Sequence, residues 1–319
     1  MKIVYDGSMD PRLCKNVLGE TIPALAAEDP DVIYLDADLM NCIGTAKWAA
    51  ENPDRAVNCG IAEANMVGVA CGLAAAGFKP IVHTFGPFAS RRCYDQAFLS
   101  GGYAKNSITI IGSDPGVTAT LNGGTHMPFE DVALYRALPG ATVIDVTDPT
   151  LLISVLRQCK DRDGVKYIRV GRKSYAKVYE EGSDLPIGKA VTLREGTDAV
   201  IFACGIMVHE AMQAALALEK EGIHAAVVDM FTIKPLDREA VLSWAEKTGA
   251  VVTAENHNRI GGLYSAVSEV LAETRPTPIA CVAVEDEFGE VGPQNYLQER
   301  FGLTAEHVAE AVRSVLKRK

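Results

Sequence analysis

Glu63 is placed where a carboxyl group invites use. It lies in the run Val57-Asn-Cys-Gly-Ile-Ala-Glu63-Ala-Asn-Met-Val-Gly-Val-Ala and opens a helical stretch. Val67, Ala70, Gly72, Ala74 and Ala75 make that stretch small or apolar nearly all round, so burial on more than one side is expected. Desolvation raises a carboxyl pKa at such a place, while a helix N-terminus lowers it. Simple stabilisation of the helix dipole is the commoner explanation of Glu63 on this segment alone. A second segment is His83-Thr-Phe85-Gly-Pro-Phe88-Ala-Ser-Arg91-Arg92-Cys-Tyr94-Asp-Gln, which follows a strand end. In open α/β sheets ligands gather beyond strand C-termini, and two phenylalanines three apart suit the walls of a flat ring as well as a core pair. The third, Gly116-Val-Thr-Ala-Thr-Leu-Asn122-Gly-Gly-Thr125-His126-Met-Pro, also follows a strand. It presents backbone N–H groups and hydroxyls, and His126 is of the type that carries protons near neutral pH. No Gly-Lys-Ser/Thr follows its glycines, so it is not a Walker loop.

These segments need a frame to bring them together, and the chain supplies one. Apolar runs at Val32–Leu35, Pro80–Thr84, Ile108–Gly112, Thr142–Val146, Tyr167–Val170, Ala199–Ala203, Ala225–Met230, Ala250–Thr253 and Ile279–Val284 read as strands. Several are continuous Val/Ile runs, the pattern of strands covered on both faces. Helical periods fill the gaps at Pro11–Ala27, Glu63–Ala76, Pro149–Gln158, Val208–Glu221, Arg238–Lys247, Gly262–Glu273 and Ala305–Leu316, with Asp148 and Thr304 as N-caps and Gly222 as a stop. The alternation predicts an α/β protein of two doubly wound domains, residues 1–172 and 190–319, with mostly parallel sheets. The charged, Gly- and Pro-containing stretch 173–189 between them reads as a linker.

Composition narrows the function. A formal charge of −10 argues against general affinity for nucleic acid or anionic membranes, without excluding a few arginines on one small anion. The longest nearly apolar stretch, Val67 to Phe78, is well short of the ~20 residues that span a bilayer. The eight cysteines form no C-x-x-C pair, which predicts a reducing, cytoplasmic setting and no zinc site.

Read in order, Gly60-Ile-Ala-Glu63-Ala-Asn-Met66, Thr84-Phe85 with Phe88, Gly124-Thr-His126, Tyr167-Ile-Arg-Val-Gly-Arg172, Thr232-Ile-Lys-Pro-Leu-Asp237 and Glu255-Asn-His257 through Gly261-Gly262 resemble the C-terminal half of transketolase. The resemblance covers essentially the whole chain, a pyrimidine-binding domain followed by the transketolase C-terminal domain. It implies thiamine diphosphate chemistry, in which a glutamate, here Glu63, hydrogen-bonds the aminopyrimidine and promotes its imino tautomer. Phe85 and Phe88 would line that ring, Asp38 would lie beside the thiazolium, and His126 would face the substrate's oxygens. Arg12 and Arg172 would hold a sugar phosphate, a geometry that guanidinium forks suit.

Several positions depart from the family pattern. Cys42 stands where a phosphate-binding serine is usual, Asp114 where a histidine is, and Asn122 where an aspartate contacts a substrate hydroxyl. A carboxylate beside a phosphate dianion is repulsive, so either Asp114 points away or the substrate differs. Arg92 with Tyr94-Asp-Gln is similar to deoxyxylulose-phosphate synthase and offers another anion contact. The chain also lacks the Gly-Asp-Gly and Asn-Asn motifs through which the family anchors Mg²⁺ and the diphosphate; its Asp6-Gly7 and Asp163-Gly164 have no preceding glycine. No metal ligand is therefore assigned in this chain. The resemblance implies a split enzyme whose N-terminal partner subunit carries those motifs, in an α2β2 assembly that includes self-dimer contacts and transfers a two-carbon ketol unit between sugar phosphates or otherwise anionic sugars. A 2-oxo-acid dehydrogenase β chain, a deoxyxylulose-phosphate-synthase-like protein and a non-catalytic scaffolding paralogue are the competing expectations.

Overall fold

The computed structural model describes residues 2–319. Twelve strands run through it: β1 Val32–Asp36, β2 Ala56–Asn58, β3 Lys79–Phe85, β4 Ile108–Ser113, β5 Thr142–Asp145, β6 Val165–Val170, β7 Val191–Arg194, β8 Ala199–Ala203, β9 Ala225–Asp229, β10 Thr232–Lys234, β11 Val251–Asn258 and β12 Ile279–Val284. They form two sheets, β10-β5-β6-β4-β3-β1-β2 and β12-β11-β8-β9-β7. Every pairing is parallel except β10 with β5 and β7 with β9. The continuous apolar runs explain the central strands: β1, β4, β6, β8 and β9 are buried along their whole length under helices. The chain is thus two α/β domains with mostly parallel sheets. Among the described residues no helix is long and apolar enough to cross a membrane.

All nine strands read from the sequence are present, with ends shifted by a few residues; β2, β7 and β10 were not legible. β10 matters most. The Thr232–Lys234 segment leaves the second domain and pairs antiparallel with β5, closing the edge of the first sheet. The helices begin as their caps require: Asp148 accepts the Leu151 N–H at 2.7 Å and Thr304 the His307 N–H at 3.5 Å.

One expectation is refined and one needs correction. The stretch read as a linker is pinned to the first domain. It bridges back to the N-terminus at Ile3–Tyr179 and Met9–Ala176, and Asp148 Oδ2 accepts the N–H groups of Val178 and Tyr179. Tyr175, Val178 and Tyr179 supply the buried apolar side that its charged neighbours concealed. The helix Glu63–Ala75 buries Met66, Val67, Ala70 and Cys71, but its opposite face is bare: Val69 is exposed, and a Cβ added at Gly68 or Gly72 would meet nothing. Its all-round apolarity exceeds what this chain covers.

Between the domains the contacts are specific. Arg169, fully buried on β6, donates to Asp131 Oδ2 (2.7 Å), to Asp145 Oδ2 (2.6 Å) and to the Asn256 carbonyl of β11 (2.9 Å). Arg136 donates to the Gly261 carbonyl at 2.8 Å, and Phe129 meets Phe301 edge-on at 5.4 Å. Asn256 reaches back: Oδ1 accepts the Val117 N–H at 3.0 Å and Nδ2 donates to the Pro115 carbonyl at 2.9 Å. Gly116, at φ +50°, has to be glycine, because a Cβ there would lie 2.1 Å from Asn256 Oδ1.

Candidate active site

Because β1, β2, β3 and β4 are parallel, their C-terminal ends open on one edge, and the three chemistry-bearing segments follow β2, β3 and β4. Phe85 ends β3; Phe88 lies in the short turn of helix that follows, with ring centroids 6.4 Å apart. His126 stands edge-on to both, at 5.8 Å from Phe85 and 5.1 Å from Phe88. Its loop is wedged between domains, since a Cβ on Gly124 would meet the Gly289 carbonyl oxygen at 2.1 Å.

Glu63 opens its helix with only 2% of its side chain exposed, and Arg92 Nη1 donates to both carboxylate oxygens at 2.8 and 3.0 Å. The Arg92 guanidinium lies 3.9 Å over the Phe88 ring centroid. On the other side, the Arg172 guanidinium lies 4.9 Å over Phe85. A continuous row of contacts therefore runs from Glu63 through Arg92, Phe88, His126 and Phe85 to Arg172. The sequence assigned Arg92 to a substrate anion; the structure gives it to Glu63.

The remaining candidates are placed less uniformly. Asp38, at φ +65°, is exposed and accepts a hydrogen bond from Asn58 Nδ2 at 3.0 Å. Asn122 is exposed in the Gly116–Asn122 turn. Arg12 is held in a fork by Asp10 (3.0 and 2.7 Å) and by the Thr150 hydroxyl (2.9 Å). Asp114 does not point away. Its Oδ2 accepts from Arg172 Nε at 2.8 Å and lies 2.6 Å from Nη2, and the Cys42 thiol lies against the same guanidinium.

Sequence reasoning missed the polar support beneath this edge. His83 Nδ1 is 2.8 Å from Asp36 Oδ2 and its Nε2 is 3.0 Å from the Ser113 hydroxyl, all fully buried, with the Tyr34 hydroxyl on the same Asp36 oxygen. This set ties β1, β3 and β4 together just below Asp38, Phe85 and Asp114. A histidine two residues before Phe85 was the available signal. His257 is a second buried histidine, and burial pushes its pKa down to about 4. Its folded pKa is depressed, so the stability it contributes is present above the unfolded value near ~6.5 and is lost as pH falls towards 4. We expect the wild-type chain to lose on the order of 3 kcal/mol more than His257→Gln between neutral pH and pH ~4.5, read by urea unfolding. Equal losses would show that the imidazole titrates normally.

Two family models match the chain: "Transketolase, pyrimidine binding domain" over residues 12–177 and "Transketolase, C-terminal domain" over residues 188–308. The chain belongs to the transketolase family, whose members depend on thiamine diphosphate. It is 49% identical to a 6-deoxy-6-sulfo-D-fructose transketolase subunit of Clostridium sp. (strain MSTE9), covering 92% of this chain and 91% of that one. It is 34% identical to an apulose-4-phosphate transketolase subunit of Phocaeicola vulgatus, over 96% and 98% of the two chains. A solved structure titled as a split gene transketolase in an inactive β4 tetramer superposes with a TM-score of 0.87 at 39% identity, covering 96% of this chain and 98% of that one.

Proposed function

We propose that this chain is the C-terminal subunit of a split transketolase, transferring a two-carbon ketol unit between anionic sugars. The observation that carries the reading is the buried Glu63 carboxylate beside the Phe85–Phe88–His126 wall. That wall fits the pyrimidine half of thiamine diphosphate, because the Arg92 guanidinium, a flat group with N–H donors, already stacks on Phe88 and bonds Glu63. When bound, thiamine diphosphate supplies the nucleophilic carbon and the electron sink. Glu63 would hold the proton shared with the ring nitrogen, Phe85 and Phe88 its faces, and His126 the proton moved at substrate oxygens. Asp38 is assigned to the thiazolium side, Arg172 to the substrate's anionic end, and Arg12 and Asn122 to further substrate contacts. We assign Mg²⁺ and diphosphate anchoring to an N-terminal partner bearing Gly-Asp-Gly and Asn-Asn, within a cytoplasmic α2β2 assembly. The bare face of the helix Glu63–Ala75 is assigned to a subunit contact.

The test is reconstitution with a chain carrying both motifs. Ketol transfer between sugars, without carbon dioxide release from pyruvate, is the expected result. Release from pyruvate would favour the oxo-acid dehydrogenase or deoxyxylulose-phosphate-synthase reading, and absence of cofactor binding by the pair would favour a scaffold. Arg92 adds a second prediction. A ring entering against Phe88 and Glu63 must take its place, so Arg92→Ala should tighten thiamine diphosphate binding by the pair. The gain expected is about fivefold, from a partly exposed ion pair worth ~1 kcal/mol. Weaker binding by titration calorimetry would make Arg92 a cofactor ligand instead.

A further inference from the structure

Asp114 and Arg172 line one cavity of about 220 Å³ at the ends of β4 and β6, with Lys15, Thr118, Thr120 and Lys173. It adjoins the aromatic wall, because Arg172 lies over Phe85. Asp114 is 3% exposed and has φ +56°, a left-handed backbone that aspartate tolerates better than most residues. Its carboxylate takes the Nε–Nη2 edge of Arg172 and the Arg172 backbone N–H, the latter at 3.2 Å. That edge is the one that would otherwise grip a tetrahedral anion with two parallel bonds. A residue this buried cannot swing into solvent to release it.

We propose that Asp114 is a specificity-determining residue that makes this cavity select a singly charged sulfonate end over a phosphate dianion. The inference rests on the transketolase reading above and on Arg172 meeting the substrate's anionic end. A sulfonate and a phosphate ester share tetrahedral oxygens and differ mainly in charge. Arg172 is already balanced by Asp114, so the positive charge left is that of Lys15 and Lys173, both exposed. Every negative charge on the ligand meets the Asp114 carboxylate, and the second charge of a phosphate doubles that repulsion without adding an acceptor. The Cys42 thiol, through Arg172, and the Tyr175 phenol also bear on Asp114, and neither supplies a compensating cation.

The experiment uses the reconstituted two-chain enzyme and two donors with the same carbon skeleton, one ending in sulfonate and one in phosphate. At about pH 7.5, kcat/KM should favour the sulfonate by about tenfold or more, given one extra charge at short range. Phosphate esters gain a proton near pH ~6, so KM for the phosphate donor should fall between about pH 7.5 and pH 5.5 while that for the sulfonate stays flat. Asp114→Asn should bring the ratio towards one, with the change in KM rather than kcat. A phosphate preference in the wild type with a flat pH response overturns the proposal, and so does a ratio that Asp114→Asn leaves unmoved. If that variant does not fold, the wild-type pH comparison decides alone. Turnover with neither donor overturns the transketolase reading, and this proposal with it.

Discussion

Glu63→Ala, assembled with its partner chain, is expected to lose roughly 10²–10⁴ of its turnover, the range that a positioned proton-transfer group supplies. Position is the reason. The carboxylate opens a helix, is 2% exposed, and stands at one end of the row that continues through Phe88, His126 and Phe85. Among the described residues of that row it is the acidic member. The variant should still assemble, because the exposed face of the same helix carries Val69 and Gly72 rather than Glu63. Removing Glu63 also frees Arg92, so a second variant, Glu63→Gln, keeps the shape and a hydrogen-bond acceptor while removing the charge. Both should be nearly inactive with unchanged elution on a sizing column. Near-normal turnover in either would defeat the proposed role, and dissociation of the pair would make Glu63 a structural residue of the interface.

How far the sequence alone reaches depends on what kind of information a feature needs. The central strands were legible because burial on both faces writes itself as a continuous run such as Val200-Ile-Phe-Ala. Asp148 and Thr304 were legible as caps because a cap acts on its own neighbours. Residue by residue, Glu63, Phe85, Phe88 and His126 were legible as separate segments; only the resemblance to transketolase joined them, and their meeting depends on three parallel strands ending on one edge. Pairings across the chain left no local trace. Arg92 on Glu63, and Asp114 on Arg172, are choices between partners that one charged residue in a loop does not announce. β10 is three residues long and gains its place from β5, a strand of the other domain. The glycines Gly116 and Gly124 were read as parts of a ligand-presenting loop, whereas their lack of a side chain admits Asn256 and Gly289. The charged linker concealed Tyr175 and Tyr179 because buried tyrosines at irregular spacing carry no period.

The largest loss of stability should come from Arg169. Replacing it with methionine keeps the volume of the stem but leaves Asp131 and Asp145, 0% and 2% exposed, without their cation. Breaking a buried pair by removing one partner costs about 3–5 kcal/mol, a large share of the ~5–15 kcal/mol that holds a folded protein together. Burial already pushes the Asp145 pKa upward against the pull of Arg169, so losing the guanidinium drives that carboxyl further towards its neutral form. The Asn256 carbonyl loses its donor too, and Asn256 holds the Pro115–Val117 turn that leads into the His126 loop. Urea unfolding should show Arg169→Met lowered by that amount, and the triple change Arg169→Met with Asp131→Asn and Asp145→Asn should recover part of it. Recovery follows if the loss comes from stranded charge rather than from lost packing, because neutral amides are cheaper to bury than unpaired carboxylates. A single variant within ~1 kcal/mol of wild type would mean the carboxylates find protons or water at little cost. A triple variant no better than the single one would place the stabilisation in the Arg169–Asn256 contact between the two domains.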